Sequence, residues 1–154
     1  MSEFDVWRRT TRWLSDNRWQ IICANPPGGT AGHYQRCRIP RKDARGGDEV
    51  DITAYRNGVL ALFECKSKLS HSLRENARSE CDKDKLARIL RTNPFEQLRL
   101  FLNFAHGIEI HPQGVAIGCL AVEECDQTVP SDIVIVLSTR VSGVDVLNRA
   151  ELFE

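Results

Sequence analysis

The sequence predicts a mixed α/β fold, a sheet flanked by helices in the order α-β-β-β-α-β-β-α. Three observations predict it. Asn57-Gly58 stands between two apolar-rich runs, the strongest short-range hairpin signal. Apolar residues recur at helical spacing near the N-terminus and again over 93–107. Three further runs, 19–24, 114–124 and 132–138, are short, apolar and strand-like. The chain has 154 residues, enough for one adequate core, and shows no repeat or linker, so 1–154 is read as a single domain.

In order, Phe4, Trp7 and Leu14, with Val6 and Trp13 beside them, place a helix over 4–17. "WQIICA" is the first strand. The loop "NPPGGTAGHYQRCRIPRKDARGG" follows, long for a compact domain and rich in Gly, Pro and Arg. The hairpin lies within "DEVDITAYRNGVLALFECK", residues 48–66. Residues 69–91 are highly charged and form either one exposed helix or a helix after a flexible lead-in. "NPFEQLRLFLNFAHG" is a clearer helix, with Asn93 as its cap, Pro94 in its first turn and Gly107 at its end. "GVAIGCLAVEE" and "DIVIVLS" are two further strands, the second read as buried, and "GVDVLNRAELFE" closes as a short helix.

Composition is that of an ordinary soluble globular protein, 42% apolar and 27% charged, with 21 basic and 21 acidic residues. Nine basic residues against four acidic ones precede Asp48, so this first third is about +5. An anionic partner and a solvated basic face account for that equally well. No run is long enough to span a membrane and the start lacks a signal-peptide core, so a cytoplasmic chain is expected. Its six cysteines are then expected to be reduced, buried or surface thiols. There is no CxxC pair, and neither His33 with Cys37 nor His71 with Cys81 has the second close pair that structural zinc needs.

The hairpin places charges in an unusual position. A two-residue turn at Asn57-Gly58 pairs Arg56 with Val59, which sets Asp51 opposite Glu64 and Glu49 opposite Lys66. Strand alternation puts all four side chains on one face. Opposed carboxylates about 5 Å apart at Cβ repel each other. A divalent cation with oxygen ligands offsets that repulsion directly. The plainer alternative is a wet surface hairpin neutralised by Lys66, Lys68 or Arg56. The central-strand run "VLALF" before Glu64 argues against it.

"VDI" followed by "LFECK" resembles the PD-(D/E)xK nuclease superfamily, the restriction-endonuclease-like fold. Asp51 matches its first acid, Glu64 its second and Lys66 its lysine, while Val50 replaces the usual proline. The resemblance covers about residues 3–122 and is nearest in layout to small Holliday junction resolvases and replication-repair nucleases. The segment 125–154 is an additional strand and helix. The resemblance implies a DNA endonuclease using Mg²⁺, or Mn²⁺ in its place, with no organic cofactor and no membrane. It implies Asp51, Glu64 and the Cys65 backbone carbonyl as metal ligands, and Lys66 as the group that holds or deprotonates the attacking water. It adds Glu3 or Asp5 from the first helix, with Glu3 preferred, and Gln97 from a later one. Arg36, Arg38, Arg41, Lys42 and Arg45 would grip backbone phosphates, and Tyr34 would stack on a base or pack locally. RNA stays open beside DNA, and a junction-cutting enzyme would be a homodimer. The alternatives are a catalytically silent nucleic-acid-binding module and a structural protein with no nucleic acid.

Overall fold

Asn57 and Gly58 both take positive φ, 49° and 82°, as a two-residue hairpin turn of the primed kind requires. They join β4 (Ile52–Arg56) to β5 (Val59–Lys68), with Arg56 opposite Val59 and Ile52 opposite Phe63, the register read from the sequence. The computed structural model describes residues 2–28, 34–41, 46–68, 82–124, 134–138, 144–147 and 149–154.

Before the hairpin come α1 (Glu3–Asp16), β1 (Gln20–Ala24), β2 (Ile39–Pro40) and β3 (Gly47–Asp48). After it come α2 (Asp82–Thr92), α3 (Phe95–His106), β6 (Val115–Glu124), β7 (Val134–Ser138), β8 (Asp145–Val146) and a 3-10 turn at Ala150–Phe153. The main sheet has six strands in the order β1-β4-β5-β6-β7-β8. β5 is antiparallel to β4 and parallel to β6, so the sheet is mixed.

Strand alternation separates two cores. On one face Ile52, Ala54, Phe63, Cys65, Ile117 and Cys119 pack with Val6, Trp7 and Leu14 of α1. On the other, Leu60, Leu62, Leu120 and Val122 pack with Leu86 and Ile89 of α2 and Leu98 and Leu102 of α3. Helices therefore cover both faces of the sheet. Gly118 of β6 lets α2 lie close, since a Cβ there would stand 3.1 Å from that of Leu86. That approach brings the first turn of α2 over the end of β5.

Several expectations need correction. The C-terminal segment is helical only at its end, over Ala150–Phe153, and begins instead with a short strand. Val144 and Val146 pack against the α1-side core in and beside β8, and Arg149, with φ of 50°, leads into the 3-10 turn that buries Phe153. The basic loop contains its own small sheet, β2 paired with β3. α2 is not an exposed helix, because Leu86 and Ile89 are fully buried. Residues 69–81, read as its lead-in or first turns, lie outside the described residues. Pro94, not Asn93, is the N-cap of α3, while the Asn93 amide donates to the carbonyls of Ile89 and Pro40. Gly107 ends α3 in the left-handed conformation, as expected. Phe4 faces outward, and α1 buries Thr10 and Thr11 with its apolar stripe.

The thiols also depart from expectation. Cys23 and Cys37 form a disulfide, their Cα atoms 5.1 Å apart. Within the long loop the chain returns beside β1, where the Ala24 N–H donates to the Gln35 carbonyl, and this brings the two cysteines together. Cys65 and Cys119 are free and buried. His33, His71 and Cys81 lie outside the described residues, as do Cys125 and the loop glycine at 29. Among the described residues no helix is long and apolar enough to cross a membrane.

Asp48 is nearly inaccessible and is held by Arg41 and Arg88, with N–O distances of 2.8–3.1 Å. The hydrogen bonds from Arg88, then those from Arg41, outweigh burial and pull its pKa from 3.8 down to about 2. Asp48→Asn should lower stability by about 2 kcal/mol near neutral pH, read by urea unfolding. A depressed folded-state pKa contributes stability that is complete above the unfolded value and lost as pH falls through the folded one. The gap between wild type and variant should therefore close between about pH 4 and pH 2. The disulfide spans 14 positions, so reduction by dithiothreitol should lower the unfolding free energy by about 3 kcal/mol. Unchanged unfolding after reduction would show that the bridge does not form in solution.

Candidate active site

The ladder between β4 and β5 ends at Ile52 and Phe63, and the chain turns at Asp51. The Asp51 N–H donates to the Phe63 carbonyl at 3.0 Å, one residue out of register. The Asp51 carbonyl is fixed from outside the hairpin, by Trp7 Nε1 of α1 at 3.0 Å and the Asn25 N–H at 2.9 Å. The side chain then reaches over β5 beyond the last ladder pair, where Oδ2 accepts from the Cys65 N–H at 2.7 Å. This sets the Asp51 carboxyl beside that of Glu64, the pair expected from the register.

Both groups are held above the ordinary carboxyl range. Burial is the main cause for Glu64, followed by the charge of Asp51, with Lys85 opposing. Burial also raises Asp51, opposed by the Cys65 N–H and by a hydrogen bond with Glu64. Two carboxyls in hydrogen-bond contact share a proton more readily than they carry two charges.

Lys66 follows on β5. Its Nζ lies 3.4 Å from Glu3 Oε1 and 3.5 Å from Asp82 Oδ2. Burial alone would lower its pKa, but the charges of Asp82 and Glu3 outweigh it and the net shift is upward. Lys66 is therefore an ammonium at neutral pH. This favours holding water and stabilising negative charge over taking a proton. Glu3 faces this group from the first turn of α1. Asp5 does not, because it closes a capping box with Ser2.

Two residues of α2 join the site that sequence reasoning did not name. Asp82 is three-quarters or more buried, and its Oδ2 accepts no hydrogen bond. Lys85 Nζ lies 2.7 Å from both Glu64 Oε1 and the Glu49 carbonyl. Asp82 and Lys85 are three apart at the start of a helix, so they share a face. Their position depends on α2 packing over Gly118, which no local pattern marks.

Other expected residues lie elsewhere. Glu49 does not face Lys66. Beyond the turn at Asp51 its carboxylate sits 3.6 Å from Arg36 and 3.8 Å from Arg38, and only its carbonyl meets the site. Arg36 and Arg38 are well exposed, as phosphate contact requires. Arg41 is the tie to Asp48, and Lys42 and Arg45 lie outside the described residues. Gln97 is exposed on α3 and lines a separate hollow with Arg41, Arg91 and Asn93. Tyr34 is half-buried and packs edge-on against Trp7. Cys65 contributes its N–H, while its thiol is buried and held well above its ordinary pKa, first by burial.

Among the described residues no three His, Cys, Asp or Glu side chains converge on one metal position. A Mg²⁺ site needs only one or two carboxylates, because the ion keeps several waters. The buried Asp51–Glu64 pair is a donor set of that kind. Compared with family models, curated proteins and solved structures, the chain matches none.

A raised acid pKa works against stability once pH exceeds the unfolded value, because the folded state then resists losing its proton. Glu64→Gln should therefore raise the melting temperature of the metal-free protein at pH 7.5. The gain should shrink as pH falls toward 4.5, the ordinary value for a glutamate. Differential scanning calorimetry across that range would detect it. A variant that melts lower than wild type at pH 7.5 would show that the carboxyl pair is not under repulsion.

Proposed function

We propose that the protein is a metal-dependent nuclease of the PD-(D/E)xK type that hydrolyses phosphodiester bonds in DNA, on a restriction-endonuclease-like core. One observation carries this reading. Asp51 and Glu64 form a buried carboxyl pair where the β4–β5 ladder ends, with the ammonium of Lys66 two residues beyond Glu64 on β5. A wet surface hairpin does not fit, because Glu64 is only 5% exposed.

Asp51 and Glu64, with the Cys65 carbonyl, would hold Mg²⁺, or Mn²⁺ in its place. When bound, the ion would polarise the phosphate and lower the pKa of a coordinated water. The chain's own groups do the rest. Lys66, kept charged by Glu3 and Asp82, stabilises the negative charge that grows on the phosphoryl oxygens and orients the attacking water. Arg36 and Arg38 meet backbone phosphates, which gives affinity without base specificity. A structure-specific substrate such as a four-way junction is one version of this reading, since backbone contacts of this kind serve any sequence. A two-fold dimer belongs to the junction-cutting version, where two sites cut symmetrically.

The test is a panel of labelled DNAs (four-way junction, flap, duplex and single strand) with Mg²⁺ or Mn²⁺. Wild type should cut at least one. Asp51→Ala and Lys66→Ala should bind it, by fluorescence anisotropy in Ca²⁺, and cut it about 10²-fold or more slowly. Binding without cutting by wild type would make the domain a reader of DNA. Neither binding nor cutting would remove nucleic acid from its function.

A further inference from the structure

Lys66 is engaged by Glu3 and Asp82, so it does not neutralise the Asp51–Glu64 pair directly. Lys85 does. Its Nζ sits 2.7 Å from Glu64 Oε1 and 2.7 Å from the Glu49 carbonyl. A carboxylate and a backbone carbonyl are the oxygen donors that a hard divalent cation takes. We propose that Lys85 is a tethered counter-ion, occupying a cation position beside Glu64 until a divalent ion displaces it. This rests on the reading of Asp51 and Glu64 as metal ligands.

The geometry explains how one residue does this. Leu86, the next residue, is wholly buried against Gly118, so the backbone of Lys85 is fixed. Its side chain is a four-carbon stem with a point charge and is 25% exposed, so the ammonium can leave the carboxylate without moving α2. A divalent ion that takes the position of the ammonium, between Glu64 Oε1 and the Glu49 carbonyl, must break the Lys85 contact, and the affinity for metal is then lower by the coupling between the two. What the protein gains is a Glu64 carboxylate that has its own counter-charge when no metal is bound. The ammonium, once released, stands at the same rim and is free to meet a substrate phosphate.

The experiment is a Mn²⁺ titration of the full chain without nucleic acid, read by calorimetry and by thermal shift. Lys85→Met should bind Mn²⁺ at a midpoint about fivefold or more below that of wild type, the lower end of ordinary coupling between sites. Lys85→Arg keeps the charge and should stay near wild type. Should Lys85→Met fail to fold, Lys85→Gln carries the same expectation. Asp51→Ala should abolish binding and so locate it. If wild type binds through Asp51 and Lys85→Met binds no tighter, the counter-ion is overturned while the metal site stands. If neither protein binds Mn²⁺, both fall.

Discussion

The arrangement of this protein's site follows from placing two carboxyl groups against each other where water is scarce. Asp51 and Glu64 meet where the β4–β5 ladder ends, partway along the central strand β5, and burial raises both. Left alone, such a pair is neutralised by a shared proton or by cations. The surroundings supply two ammonium groups, Lys66 and Lys85, but also two more carboxyls, Glu3 and Asp82. Four acids thus face two lysines. With every group ionised, two negative charges are left over, the charge one divalent cation would cancel. A network built only for stability would have no reason to carry that surplus, because hydrophobic side chains of similar volume would hold the sheet end at least as well.

The pair is held by contacts from both faces of the sheet. Trp7 on α1 and the Asn25 backbone fix the Asp51 carbonyl. The Asn25 side chain also donates to the carbonyls of Cys37 and Val50, both at 2.8 Å, which ties the disulfide segment to the approach of Asp51. On the opposite face α2 delivers Asp82 and Lys85, and its height over the sheet is set by Leu86 on Gly118. The site is therefore a product of three layers, and its acids cannot move apart to relieve their repulsion without disturbing the cores on either side.

The sequence made one part of this legible and hid the other. Asn57-Gly58 has a single favoured turn geometry, and that geometry alone sets Asp51 near Glu64. Local chemistry of that kind can be read without a structure. Its limit lies at Asp51 itself, where the ladder ends. A strict register carries Glu49 to Lys66, but the real chain bends and leaves Glu49 with Arg36 and Arg38. Asp82 and Lys85 were hidden because their place depends on helix packing across the sheet. The Cys23–Cys37 bridge was hidden for the same reason, since a separation of 14 positions implies no contact. In the C-terminal segment Val144, Val146, Leu152 and Phe153 fit a helical and an extended pattern alike, so the sequence shows the short closing helix but not the strand β8 before it, which the α1-side core selects.

The charge distribution also bears on the order of events at the site. A phosphodiester is an anion, and the carboxyl cluster would repel it. The exposed guanidinium groups of Arg36 and Arg38 lie beside Glu49, whose carbonyl is one of the two oxygens around the Lys85 ammonium. An approaching phosphate therefore meets positive charge at the rim and negative charge within. On the proposed function, Arg36 and Arg38 can capture the backbone at any time, but the scissile phosphate can settle against Lys66 only after the inner surplus is cancelled. Binding and cutting are then separable by charge alone. On that reading the groups that would attract the nucleic acid stand on the loop before the hairpin, and the groups that would act on it stand on the hairpin and the helices that cover it.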